Sequence, residues 1–271
     1  MTSFYDEKVV IITGSSMGIG KSLALLLGKQ NAHIVLNARN EVKLLATETE
    51  LKAEGCSVIS CIGDVTKEED CKKLIDIALA HFGKIDILIN NAGISMRGMV
   101  EQIPASLVST IFNTNTIAPI VLSQKALPHI KQTGGSIVFI SSLAALRGLP
   151  LISIYCASKM ALTAVAESMR IETKDHGVHI GLVFVGFTKS EKEKTVLNSE
   201  GNLTFLGERK GIFYNGISDV AKQISKNIKR RQKQTVVGVS GKIYYFFSKF
   251  FPRLMELIII KSQKQLNRLS K

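Results

Sequence analysis

The sequence has few cysteines, and none stands where metal or redox chemistry would need it. Four occur in 271 residues (Cys56, Cys61, Cys71 and Cys156), and no two form a CxxC pair. No His or Cys cluster has metal-ligand spacing, so no metal site is expected and the thiols read as reduced, in a cytoplasmic protein. A secretory leader is not expected either. The opening residues MTSFYDEKVVIITG carry Asp6 and Glu7 and pass directly into a strand pattern. Internal repeats and low-complexity linkers are absent.

A spanning apolar run is missing from the C-terminal part. Residues 242–260 read KIYYFFSKFFPRLMELIII, and Lys242, Lys249, Arg253 and Glu256 interrupt the about 20 apolar residues that a membrane span requires. Acid is scarce in the same region. Residues 222–271 hold 13 Lys or Arg against one acid, Glu256, which is +12 of the total charge of +13. The rest of the chain is nearly neutral, so the basic bias describes a tail rather than an active site. No nucleic-acid module accompanies it, and basic residues alone bind nucleic acid without specificity. Two readings of residues 242–271 stay open. One is an amphipathic segment lying on a membrane surface; the other is a helix packed on its own domain or on a second subunit.

What is present is an alternating pattern. With 45% hydrophobic and 21% charged residues, the chain can bury the core of one large α/β domain. Strand patterns fall at 8–13, 33–36, 57–62, 85–90, 136–141 and 179–185. Helical patterns fall at 21–29, 40–54, 67–82, 104–112, 115–131 and 155–174. Short apolar strands alternating with helices predict a single doubly wound parallel sheet of Rossmann type, with helices on both faces. The domain is expected over 1–241, the tail over 242–271. Residues 187–215 are polar and glycine-containing, and read either as a substrate lid or as a surface excursion.

The first strand is followed by Thr13-Gly14-Ser15-Ser16-Met17-Gly18-Ile19-Gly20 and then a helix. Such glycines let backbone approach a pyrophosphate, and the helix N-terminus offers amides and a positive dipole end. An acid that would bind a ribose 2′-hydroxyl at the end of the second strand is lacking. The segment is Asn37-Ala38-Arg39-Asn40, and Arg39 can pair with a 2′-phosphate instead. NADP(H) is therefore expected ahead of NAD(H). Asp64-Val65 after the third strand is expected at the adenine, and the small residues of Asn91-Ala92-Gly93 after the fourth leave room for a ribose.

Tyr155 and Lys159 stand four residues apart on a predicted helix, hence on one face. A free phenol, with a pKa of about 10, is a poor base near neutral pH, and a neighbouring ammonium is expected to lower that value. Ser142, after the fifth strand, can hydrogen-bond a reacting oxygen. Asn115 is expected to hold a water or a backbone group that positions Lys159, and to complete a proton relay to solvent.

Over roughly residues 6–240 these features resemble the short-chain dehydrogenase/reductase family. TGSSMGIG is similar to its TGxxxGxG, NNAG matches outright, and Tyr155 stands thirteen positions after Ser142 in the family's Ser…YxxxK pattern. A narrower resemblance links Gly93–Gly98, Arg147–Pro150, Gly186–Ser190 and Lys249–Pro252 to the subgroup of 11β-hydroxysteroid-dehydrogenase-like and microsomal dehydrogenase/reductase members. The resemblance implies catalysis by Asn115, Ser142, Tyr155 and Lys159. It implies a cofactor on Ser16, Met17 and Ile19 as well as the glycines, with Gly186 and Thr188 beside the nicotinamide. It also implies a homodimer or homotetramer formed through the helices carrying Asn115 and Tyr155. Two departures are Val185-Gly186 in place of Pro-Gly and Ala118 in place of a glycine. The expected activity is hydride transfer between NADP(H) and a hydrophobic carbonyl or secondary alcohol, with Ile94, Met96, Leu149, Phe187 and Phe205 around the substrate. A catalytically silent nucleotide-binding protein is the alternative, disfavoured because Tyr155 and Lys159 are both present.

Overall fold

The structure, a computed structural model, describes residues 3–189, 195–205 and 214–269. The chain alternates β1 (Val9–Thr13), α1 (Gly18–Gly28), β2 (His33–Ala38), α2 (Glu41–Ala53), β3 (Val58–Ile62), α3 (Glu68–Phe82) and β4 (Ile87–Asn90). It continues with α4 (Ala105–Phe112), α5 (Ala118–Thr133), β5 (Ser136–Ser142), α6 (Ser153–Glu172) and β6 (His179–Val185). A small hairpin, β7 (Thr195–Leu197) and β8 (Leu203–Phe205), precedes α7 (Ile217–Lys229), β9 (Gln234–Val236), α8 (Val239–Phe250) and α9 (Pro252–Leu269).

Seven strands pair in the order β3-β2-β1-β4-β5-β6-β9, all parallel. Every residue of β1, β4 and β6 is buried, as continuous Val/Ile/Leu runs require when helices cover both faces. One face takes Leu23 and Leu27 of α1, Leu44 and Leu51 of α2, and Val220, Ile224 and Ile228 of α7. The other takes Leu74 of α3, Leu122 and Ile130 of α5, and Leu162 of α6. Strand order reverses between β1 and β4, so a crevice opens at the carboxyl ends of these strands.

Two expected helices, 104–112 and 115–131, form one rod. A π-helical turn, Asn113–Ile117, joins α4 to α5 without a break. Ala105–Thr133 is also the one described helix long and apolar enough to cross a membrane. Here it lies on the sheet with Ala126 and Ile130 fully buried, so it is a core helix. Three elements fell outside the expected pattern: the β7–β8 hairpin, α7 and β9.

Candidate active site

The glycine turn is fastened by buried polar groups rather than by the glycines alone. Ser15 is fully buried; its amide donates to the Asn37 carbonyl (3.1 Å), and its hydroxyl accepts from the Asn37 amide (2.9 Å). The Thr13 hydroxyl accepts from the amides of Asn91 and Ala92, each at 3.0 Å. The Asn91 side-chain amide donates to the carbonyls of Thr13 (2.9 Å) and Gly14 (3.0 Å). Asn91 thus holds the turn as well as bordering the space expected for a ribose. Gly14 has φ +62°, and a Cβ there would stand 2.9 Å from the Ala92 Cα. At Gly20 a Cβ would stand 2.5 Å from the Gly14 oxygen. No side chain caps α1 at Met17, so its first amides are left for an anion, with Ser16, Gly18 and Ile19 in the same turn. This cradle fits a dinucleotide pyrophosphate.

Filling the cradle gives a direct test. Gly20→Ala is expected to weaken dinucleotide binding about tenfold or more, because the turn must shift by several tenths of an ångström. A fluorescence titration that returns the wild-type Kd from a folded variant would show that the turn does not carry the pyrophosphate.

Arg39 lies at the outer end of this turn, beyond β2. It is 65% exposed, and its Nη1 stands 3.6 Å from Asp64 Oδ2. Burial pushes the Asp64 carboxyl up, but hydrogen bonds from the Thr66 amide and hydroxyl, with Arg39 beside them, outweigh it and leave the pKa below the usual range. Asp64 is therefore an ionised group already held by its own turn. The Val65 side chain is core, against Cys71 and Leu74.

Ser142, Tyr155, Lys159 and Asn115 come together at the ends of β4 and β5. Ser142 is the last residue of β5; its hydroxyl accepts from the Ala144 amide at 3.1 Å and hydrogen-bonds Tyr155. Tyr155 sits in the first turn of α6, packed on a small apolar cluster of Met96, Leu107 and Ile111. Burial raises its pKa, and the Ser142 hydrogen bond opposes this only in part. The expectation that Lys159 lowers the phenol pKa is therefore corrected: the shift is upward, because the ring leaves water and no ammonium offsets that. Lys159 is 5% exposed; its Nζ donates to the Ile140 carbonyl at 3.0 Å, and burial lowers its pKa from 10.5 to about 8.

Asn115 lies on the π-helical turn and is fully buried. Its Oδ1 accepts from the Ile94 amide at 2.9 Å. Its Nδ2 donates to the Ile94 carbonyl (2.9 Å) and to Ser158 Oγ (3.1 Å). The side chain thus holds the Ile94 backbone, one of the two roles expected for it. Both its side-chain N–H groups are spent on protein. A Cβ at Gly93 would stand 3.2 Å from Asn115 Oδ1 and 3.3 Å from Lys159 Nζ, so this glycine lets the two approach the strand end.

Sequence reasoning passed over Thr13, Ser15, Asn37 and Ser158. The Ser158 hydroxyl is fully buried, donates to the Tyr155 carbonyl at 2.8 Å and accepts from Asn115. Their signal was polarity inside apolar runs, as Asn37 in HIVLNA and Ser158 between Tyr155 and Met160.

The substrate side departs from expectation in detail. Met96 is 1% exposed and belongs to the cluster behind Tyr155 rather than to a pocket wall. Phe205 stands exposed on β8, and Phe187 is partly exposed after β6. Ile94 and Leu149 are half-buried beside the cleft. Segment 95–97 pairs with Leu197 of the hairpin, through Leu197 N–H to Ser95 (3.0 Å) and Arg97 N–H to Leu197 (2.7 Å). Gly186 allows Leu143 to approach, and the Thr188 hydroxyl donates back to the Gly186 carbonyl at 3.3 Å. Within 187–215, residues 190–194 and 206–213 lie outside the described residues.

A parallel sheet with a glycine cradle at its reversal point, and a Ser/Tyr/Lys cluster one strand away, defines a dinucleotide-dependent oxidoreductase. Comparison with known proteins agrees. A profile of the short chain dehydrogenase family matches residues 8–201. The chain is 33% identical over 257 residues to 11-beta-hydroxysteroid dehydrogenase 1A of Arabidopsis thaliana, covering 92% of this chain and 73% of that one. It is 35% identical over 188 residues to an uncharacterized oxidoreductase of Thermotoga maritima, covering 69% and 74%. Among solved structures, it superposes with a TM-score of 0.80 on a short chain dehydrogenase/reductase from Burkholderia phymatum in complex with NAD, at 23% identity over 93% and 95% of the chains. A metagenomic short-chain oxidoreductase in complex with NADP gives 0.71 at 26% identity, over 86% and 97%. The chain belongs to the short-chain dehydrogenase family, whose members are oxidoreductases that use NAD or NADP.

Proposed function

We propose that this chain reduces a hydrophobic ketone or 3-oxoacyl-type carbonyl with NADPH, and oxidises the matching alcohol in reverse. The observation that carries the reading is the meeting of Ser142, Tyr155, Lys159 and Asn115 at one strand end. The bound dinucleotide supplies the hydride. Ser142 donates a hydrogen bond to the carbonyl oxygen and opposes the charge that grows there. Tyr155 gives that oxygen its proton. Burial keeps the phenol in its protonated form, the form a proton donor needs. Lys159 places a buried cation beside Gly93 and the expected ribose site, with the adjoining Asn91 and Ala92. Asn115 positions both by clamping Ile94 and Ser158.

The NADP preference rests on Arg39, an exposed guanidinium that stands 3.6 Å from Asp64, and on the absence of an acid at Ala38. The ratio of kcat/KM for NADPH over NADH is expected to exceed one. Arg39→Asp is expected to reverse it, with a loss of roughly 10–100-fold for NADPH. A wild-type ratio below one would assign the cofactor to NADH, and an Arg39→Asp variant with unchanged preference would remove Arg39 from this role.

The same reading divides the chain into a catalytic unit, 1–241, with the lid at 187–215, and a C-terminal tail. The partly exposed Ile117 and Met160 on the helices of Asn115 and Tyr155 support a homodimer or homotetramer through those faces. A cytoplasmic protein with peripheral membrane contact through the tail completes it.

A further inference from the structure

Between Tyr155 and Lys159, on the same stretch of α6, Ser158 is fully buried. A serine inside a helix can turn its hydroxyl back on the carbonyl three or four residues earlier. Here that carbonyl belongs to Tyr155, at 2.8 Å. By the spacing of an α-helix, the same carbonyl accepts from the Lys159 amide. The Ser158 hydroxyl therefore bonds the peptide group that ties Tyr155 to Lys159.

Two consecutive residues of the π-helical turn grip this serine from outside α6. Asn115 Nδ2 donates to its hydroxyl at 3.1 Å, and the Thr116 hydroxyl donates to its carbonyl at 2.9 Å. Consecutive side chains of an α-helix diverge by about 100°. The wider Asn113–Ile117 turn rotates less per residue and brings both to one partner. Asn115 is fully buried and Thr116 is 7% exposed, so solvent scarcely reaches these bonds. Strand β5 holds the next residue. Lys159 Nζ donates to the Ile140 carbonyl at 3.0 Å, and the Ser141 hydroxyl donates to the Lys159 carbonyl at 3.4 Å. Apolar contact is non-directional and lets a helix slide or turn, whereas hydrogen bonds of fixed length and angle do not.

We infer that Ser158 and Thr116 are positioning residues for the proton step: with Asn115 they fix the height and rotation of α6, and so the reach of the Tyr155 hydroxyl to Ser142 and the reacting oxygen. Both act through Tyr155 rather than on the substrate. The inference rests on the reductase reading above, in which Tyr155 gives the proton. A displacement of about 1 Å at a reacting group costs about 100-fold in rate. Loss of the Ser158 hydroxyl would free the Tyr155 peptide and leave Asn115 Nδ2 without one of its two acceptors.

Ser158→Ala and Thr116→Val each delete a hydroxyl at nearly constant shape, and Thr116→Ser keeps it. The test measures kcat for reduction of acetophenone and ethyl acetoacetate, kcat for oxidation of the matching alcohols, and dinucleotide Kd by fluorescence. Ser158→Ala is expected to lower kcat about 10–100-fold and Thr116→Val about 3–10-fold, with NADPH Kd within about twofold of the wild type. Thr116→Ser should stay within about twofold of the wild type in both quantities. On a Tyr155→Phe background, Ser158→Ala should cost nothing more, because a residue acting through the phenol has nothing left to position. Wild-type kcat in both Ser158→Ala and Thr116→Val overturns the inference. So does a fall in kcat matched by an equal loss of dinucleotide affinity, or a full additional loss on the Tyr155→Phe background, since each marks a general loosening of the fold. If Ser158→Ala does not fold, the contrast between Thr116→Val and Thr116→Ser decides alone. A wild type that works only with NADH, or only in oxidation, overturns the reductase reading but not the positioning, which the same ratios then measure. Absence of turnover in either direction with either dinucleotide overturns both.

Discussion

Tyr155→Phe is expected to lower kcat for carbonyl reduction by about 10²–10⁴-fold, while NADPH Kd changes by no more than a few-fold. The substitution removes one oxygen and little else. The ring would keep its packing on Met96, Leu107 and Ile111, so the fold of the site is retained. What disappears is the O–H that faces Ser142 and the reacting oxygen. Loss of that hydrogen bond should cost about 1 kcal/mol of stability, far below the kinetic effect. Stopped-flow hydride transfer and an NADPH titration on the same preparation separate the two. Turnover near the wild-type level would remove Tyr155 from the role of proton donor. In the wild type, the rate of reduction should hold through neutral pH and fall in the alkaline range, because burial lifts the phenol pKa.

The parts of this molecule legible in the sequence are those where one residue has one local job. Val9–Thr13, Ile87–Asn90 and His179–Val185 are unbroken apolar runs, which only a strand buried on both faces explains. Gly83 and Gly134 end α3 and α5 in the left-handed region, where glycine costs no strain. That Asn115, Ser142, Tyr155 and Lys159 would meet was legible in the sequence, yet their electrostatics were not. The upward shift of Tyr155 comes from burial, to which Met96, Leu107 and Ile111 contribute from elements about 40–60 residues away. The π-helical turn at Asn115 was hidden because one extra residue in a turn hardly disturbs helical periodicity. Gln234–Val236 was hidden too, being three residues in a basic stretch that pair only with β6. The basic charge of 222–271 drew attention to the tail, while α7 within it contributes Val220, Ile224 and Ile228 to the main core.

Lys159→Met is expected to abolish reduction and yet stabilise the fold at pH 7. The ammonium is 5% exposed, donates one hydrogen bond to Ile140, and meets no carboxylate in the cluster. Burial accordingly lowers its pKa from 10.5 to about 8. A base whose pKa is lower in the folded chain binds fewer protons there than in the unfolded chain. Stability therefore rises with pH between about 8 and 10.5, and the full penalty is present below about 8. The size of the shift corresponds to roughly 3 kcal/mol as an upper figure. Met fills similar space without the charge, so the variant should gain roughly 1–3 kcal/mol at pH 7, less what the Ile140 carbonyl loses. The gain should shrink as pH rises toward about 10.5, above which lysine is neutral in both states. Urea unfolding of both proteins across this range measures it. A variant less stable than the wild type by the same amount at every pH would mean that Lys159 is held by packing and not strained by its charge. The expected result instead describes a cation kept at a cost to the fold, which is intelligible only if the dinucleotide and the reacting oxygen need it there.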